Sequence, residues 1–169
     1  MTLIAAGDIK PTGERIAKEA QLSVRTLWLN FHDLDTLYEV AATHVLAERR
    51  RSLHDSPPFE GDLATRISLF CTRHAKYLER AAPYSEASRL REPFSAPLRE
   101  MRQLHIAIIE DDLTRAFAPE LAGSPEKIKP LTAICTSTYW ATLRKELHLE
   151  ADEATEAMTR LLTLALEPR

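Results

Sequence analysis

From Thr12 to Leu37 the chain reads TGERIAKEAQLSVRTLWLNFHDLDTL. Its apolar positions do not alternate but return every three or four residues: Ile16, Ala17 and Ala20, then Val24, Leu27, Trp28 and Phe31. That period predicts two short helices. Thr12 is placed to cap the first, which runs through Ala20 with Arg15 and Lys18 on its polar side, and Ser23 to cap the second, which runs to about Asn30. Gln21 and Leu22 are left for a tight turn. Val24, Leu27, Trp28 and Phe31 then form one buried stripe, with Arg25, Thr26, Leu29 and Asn30 outside it. A third helix, from near Asp33 to about Leu53, carries Leu37, Val40, Ala41, His44, Val45 and Ala47 and is long enough to leave a small head for a body. Its basic end, Arg49 to Arg51, reads as a solvated terminus favoured by the helix dipole.

Farther along, Leu63, Ile67, Phe70, Cys71, His74, Tyr77 and Leu78 predict an amphipathic helix over Asp62 to Ala82. Leu98, Met101, Leu104, His105, Ile108, Ile109, Leu113 and Phe117 predict a longer one. The stretch between, Pro83 to Pro97, is expected to hold one short helix at most. Two more helices close the chain. One runs from Lys129 or Pro130 to Leu147, with Leu131, Ile134, Cys135, Thr138, Ala141 and Thr142; the other runs from Asp152 to Leu166, with Ala154, Ala157, Met158, Leu161, Leu162 and Ala165. Small residues among the leucines permit close helix approach. No β-branched run alternates over strand length and glycine occurs only 4 times, so the expected fold is all-α: a three-helix head, residues 1–47, and a larger helical body, residues 48–169.

Composition narrows the function classes. At 169 residues and 44% hydrophobic the chain buries an ordinary core. It has no run near the roughly 18 apolar residues of a spanning helix and no leader-like start, which points to a cytoplasmic protein without a membrane partner. Cys71 and Cys135 lack CxxC spacing and read as buried free thiols. His74 follows Cys71 by three positions and His105 precedes Glu110, Asp111 and Asp112, but no HExxH, Glu-x-x-His or Ser-His-Asp pattern joins them. Glu110 to Asp112 reads as a solvated stretch, and without a P-loop or GxGxxG an enzyme, metal or cofactor reading has no motif to stand on. The net charge of -3 is no signature of nucleic-acid binding, yet from Lys10 to His32 four lysines and arginines face two glutamates.

Thr12, Ile16-Ala17, Ala20, Leu22-Ser23, Thr26-Leu27-Trp28, Phe31 and Leu37 together resemble the helix-turn-helix head of the TetR family of one-component transcriptional regulators. The match covers about a quarter of the chain and spans many spaced positions. Three positions differ: the family's turn glycine is Gln21, its tyrosine Trp28 and its lysine Leu34. Leu3 to Gly7 resembles the last turn and a half of the family's first helix, so Met1 is expected to fall inside that helix, which is either shortened or continued by a segment upstream of Met1. The resemblance implies a homodimeric regulator, most often a repressor, that binds a near-palindromic double-stranded DNA operator and is released by a small-molecule effector. It implies Arg25, Thr26 and Leu29 toward bases, and Thr12, Trp28 and Asn30 toward phosphates. It places an effector cavity in the body, for which Phe70, His74, Tyr77, Phe94, Met101, His105 and Trp140 are candidates, although plain core packing is the simpler account of each. It assigns the last two helices to dimerisation. The alternative is a ligand-binding or interaction dimer whose head binds DNA weakly or not at all.

Overall fold

The computed structural model describes residues 2–167, and among them every regular element is helical. In chain order these are α1 (Thr2–Ala5), α2 (Gly13–Glu19), α3 (Val24–Asn30), α4 (Leu34–His54), α5 (Leu63–Arg89), a 3-10 turn (Glu92–Phe94), α6 (Ala96–Ala116), α7 (Ala118–Leu121), a second 3-10 turn (Pro125–Lys127), α8 (Ile128–Ile134), α9 (Ser137–Ala141), a π-turn (Thr142–Glu146) and α10 (Ala151–Leu166). No helix among the described residues is long and apolar enough to cross a membrane. The chain divides into two compact units, Met1–Arg49 with Ala81–Gln103 and Arg50–Arg80 with Leu104–Arg169.

In the first unit the predicted caps of α2 and α3 are in place, and a third, at Asp33, joins them. Thr12 Oγ1 accepts from Arg15 N at 3.4 Å and Ser23 Oγ from Thr26 N at 3.0 Å. Asp33 Oδ1 accepts from Thr36 N at 2.8 Å and from the Thr36 hydroxyl at 2.9 Å, which starts α4 and holds the Asp33 carboxyl below its usual range. The core is a buried cluster of Ile4, Tyr38, Ala87 and Leu98, with Ile9, Ala42 and Tyr84 packed against it. Residues 81–103, grouped with the body by the sequence, belong here because Ala87 and Leu98 are part of that cluster.

Several expectations are corrected. α5 does not stop before Pro83 but continues to Arg89. A proline inside a helix costs about 3 kcal/mol in lost hydrogen bonding and steric conflict, and the burial of Ala87 and packing of Tyr84 beyond it offset that cost. Val24 is exposed, so the α3 stripe is narrower than expected and Leu27 is its buried member. Arg49 is buried rather than solvated, because it continues the stripe of Tyr38, Ala42 and Leu46 at helical spacing. The expectation about Met1 lies outside the described residues; Thr2–Ala5 is helical, and the left-handed Gly7, φ 93°, follows its end.

In the second unit Ile67, Phe70, Leu78, Ile109, Leu113, Phe117, Leu131, Trp140, Met158 and Leu162 are buried together with Cys71 and Cys135, both free thiols. Burial pushes the Cys71 thiol up to about 11, so it is unreactive near neutrality. The single helix expected from Lys129 or Pro130 to Leu147 is broken at Cys135–Thr136. Thr136 caps α9, its Oγ1 accepting from Tyr139 N at 3.2 Å and donating to Ala133 O at 2.9 Å, so its side chain competes with the helical ladder. Asp112 is buried rather than solvated, and it accepts from Arg115 Nη2 at 3.3 Å. On α10 the apolar stripe of Ala154, Met158, Leu162 and Leu166 is already covered within the chain, while Leu164 is exposed.

Candidate nucleic-acid interface

Helices α2 and α3 are joined by a turn whose backbone explains how Gln21 replaces glycine. Gln21 N donates to Lys18 O at 3.1 Å and Leu22 N to Ala17 O at 2.8 Å, with Gln21 at φ 56°. This is the Schellman stop, which needs a left-handed residue after the helix. The same pair of bonds ends α1, from Gly7 N to Ile4 O at 3.0 Å and from Asp8 N to Leu3 O at 2.9 Å, there with glycine. Gln21 thus keeps the left-handed geometry that glycine reaches without steric penalty.

Trp28 sets the spacing between the two helices. Its indole lies against Gly13, the first residue of α2, and a Cβ at Gly13 would stand 2.2 Å from Trp28 Cζ2. Leu27 is buried behind it. The outer side of α3 carries Arg25 and Asn30, both exposed, and Leu29, which is 74% exposed. Leu29 is therefore no part of the core of this unit.

The remaining candidates of this unit are partly engaged. Thr26 is half-buried and its Oγ1 shares a hydrogen with Ser23 Oγ at 2.8 Å, so it supports the cap. Asn30 Nδ2 donates to Thr26 O at 2.9 Å, which leaves its carbonyl oxygen outward and steadies the end of α3. Thr12 is exposed at the start of α2, beside Glu14, whose carboxyl is held below its usual range by its own backbone N–H and by the Thr12 hydroxyl. Arg15 pairs with Asp8 at 3.0 Å and, with Lys18, Glu19, Gln21 and Leu3, lines an open cleft of about 670 Å³. Lys10 and Lys18 are exposed cations on the same segment. Leu34, where the family pattern has lysine, is half-buried at the start of α4.

The effector candidates separate. Phe70, His74, Tyr77 and His105 come together as a ladder in the second unit: Phe70 stacks on His74 with centroids 5.3 Å apart, and Tyr77 on His105 at 5.5 Å. His74 Nε2 donates to Cys135 O at 2.7 Å, taking up the carbonyl released where α8 ends, so the ring's tautomer is set by the break. Tyr77 Oη and His105 Nδ1 are hydrogen-bonded at 3.1 Å. Trp140 is buried and donates from Nε1 to Glu79 Oε1 at 2.7 Å; Arg144 Nε donates to the same oxygen at 2.9 Å. Phe70, His74, Tyr77 and His105 are thus engaged with one another. Phe94 and Met101 fall in the first unit instead. Phe94 is 85% exposed on the 3-10 turn, where Ser95 is the residue turned inward, and so is no cavity-lining residue; Met101 is half-buried, its sulfur 3.8 Å from the Thr43 hydroxyl.

Sequence reasoning missed two features of the first unit. Gly13 looks like an ordinary helix start, although a glycine where alanine favours the helix by about 1 kcal/mol signals a close neighbour. Asp35, Tyr38 and Arg91 were likewise passed over, the first two on one helical face and the third on a remote segment. No protein-family model matches the chain, and neither a curated protein nor a solved structure matches it.

Proposed function

We propose that the chain is a helix-turn-helix DNA-binding regulator similar to the TetR family. The observation that carries the reading is the α2–turn–α3 pair. It has a capped second helix of seven residues, a Schellman stop between the helices, a glycine cut to admit Trp28, and Arg25 and Leu29 on the open side. A helix of this exposure fits the major groove, where arginine pairs with guanine and an apolar side chain meets the thymine methyl. Arg25 and Leu29 are assigned to bases, with Thr26 keeping the helix start in register. Thr12, Trp28 and Asn30, with Lys10 and Lys18, are assigned to the phosphates on either side, which position the head without reading sequence.

The same reading takes the protein as a homodimer, most simply a repressor, released by a small molecule that binds the free form more tightly than the DNA-bound form. Two copies place their α3 helices in successive major grooves, so the target is a near-palindrome with half-sites one duplex turn apart.

Selection of bound duplexes from a random pool at low salt tests this. An enriched, near-palindromic sequence is expected, and a ligand screen for release then follows. A pool that shows no enrichment after repeated rounds overturns the proposal, and a single enriched half-site overturns its dimeric part.

A further inference from the structure

Helix α4 begins four positions after α3 ends. Its first turns place Asp35, Tyr38, Glu39 and Ala42 at i, i+3, i+4 and i+7, on one face. The corner between α5 and α6 meets that face residue by residue. Arg91 Nη1 donates to Asp35 Oδ1 at 2.5 Å, and its guanidinium lies 4.6 Å from the centroid of the Tyr38 ring. Ser95 Oγ donates to Glu39 Oε1 at 3.1 Å and accepts from Leu98 N at 3.2 Å. Leu98 and Ala87 are buried with Tyr38, and Ala42 packs on the same cluster.

Tyr38 reaches past this corner. Its hydroxyl donates to Ile9 O at 3.2 Å, just ahead of buried Pro11 and the α2 cap Thr12. The α2–α3 pair is thereby attached to α4 at both ends. At its entry Ile9 is held on Tyr38; at its exit Asp33 caps α4 through Thr36. Arg91 touches both attachments, pairing with Asp35 beside the exit and covering the ring that holds the entry. Only a planar guanidinium stacks and pairs in this way at once; a lysine ammonium keeps the charge but not the plane.

We infer that Arg91 is a positioning residue for the DNA-reading helices, acting through Asp35 and Tyr38 to set how α2 and α3 leave α4. This rests on the function proposed above, and the test separates the two. The wild-type chain first selects its duplex. Affinity for that duplex and for an unrelated one is then measured across salt concentrations for wild type, Arg91→Ala, Arg91→Lys and Asp35→Asn. Each measurement counts only molecules able to bind, by titration at saturating protein.

Arg91→Ala is expected to weaken the selected duplex about tenfold, the loss of one well-placed base contact, with the unrelated duplex and the salt slope unchanged. Arg91→Lys and Asp35→Asn are expected to lose selectivity in the same direction. If Arg91 were itself a phosphate ligand, both duplexes would weaken and the slope would fall by about 1; that result overturns the inference. Unchanged selectivity in Arg91→Ala also overturns it, and if that variant is unfolded, Arg91→Lys decides by the same criterion. A wild-type chain that selects no duplex overturns the DNA-binding proposal and this inference with it.

Discussion

The Trp28 ring rests on the backbone of Gly13: a methyl group at Gly13 would meet Trp28 Cζ2 at 2.2 Å, closer than real contacts come. A seven-residue helix and its neighbour, each too short to be stable alone, are held at a fixed spacing by this one contact and the buried Leu27.

Gly13→Ala is therefore expected to destabilise the first unit by about 1–3 kcal/mol, the range for overpacking, although alanine is the better helix former. Combining it with Trp28→Leu is expected to recover part of that loss. Denaturant unfolding of the two single variants and the double variant measures the coupling, and strictly additive effects would show that the contact is not the cause.

Arg25→Ala is expected to cost about 1–3 kcal/mol in binding to the selected duplex and to relax preference at one base position. Leu29→Ala, at a residue 74% exposed, is expected to leave folding stability within about 0.5 kcal/mol while reducing discrimination at a neighbouring position. Gel-shift titrations against single-base variants of the duplex check both. Unaltered preference in the two variants would remove α3 from the base-reading role.

Gln21 pays for its left-handed backbone, φ 56°, with the steric conflict between its Cβ and its own carbonyl. Gln21→Gly is expected to stabilise the chain by about 0.5–1 kcal/mol, the relief exceeding the extra freedom glycine brings to the unfolded state. Gln21→Val is expected to destabilise. Thermal unfolding of both variants gives the sign.

Arg66 and Glu120 form a two-pronged pair inside the second unit, with Nη2 to Oε1 at 2.5 Å and Nη1 to Oε2 at 3.0 Å, while Arg66 Nη1 also donates to Ala116 O at 2.7 Å. The Arg66 hydrogen bonds hold the Glu120 carboxyl below the usual glutamate range. A carboxyl lowered by folding stabilises the native state above its unfolded pKa of about 4.3, and that stability is lost as pH falls through the lower native value. Glu120→Gln is expected to destabilise the chain near pH 7 by about 1–2 kcal/mol and to flatten the fall in stability below about pH 4.5. Urea unfolding at a series of pH values checks it; parallel curves for the two proteins would assign the acid sensitivity to other carboxyls.

The second unit shows where local reading stops. The apolar residues from Leu131 to Leu143 keep helical spacing through Cys135, so periodicity alone predicts one helix. The break at Thr136 is stabilised from outside the segment, by His74 on α5, whose Nε2–H donates a hydrogen bond to the Cys135 carbonyl. Pro83 fails in the opposite sense. It reads as a stop, but Ala87 and Tyr84 beyond it have a hydrophobic cluster to join. Both outcomes depend on partners far away in the chain.

What the sequence determined by itself is the local part: the helical period, the caps Thr12 and Ser23, and the outward place of Arg25, Leu29 and Asn30. Each of these follows from side chains within four residues of one another, where helix geometry alone dictates who meets whom. The tertiary structure alone decided that Gly13 seats Trp28, that Phe94 stands in the open while Ser95 turns in, that α10 covers its stripe within the chain, and that Arg91 grips Asp35 and Tyr38 from 56 and 53 positions away (91 − 35 and 91 − 38). Such contacts depend on which helix faces are brought together. That is settled by burial summed over the whole core, and no local window carries it.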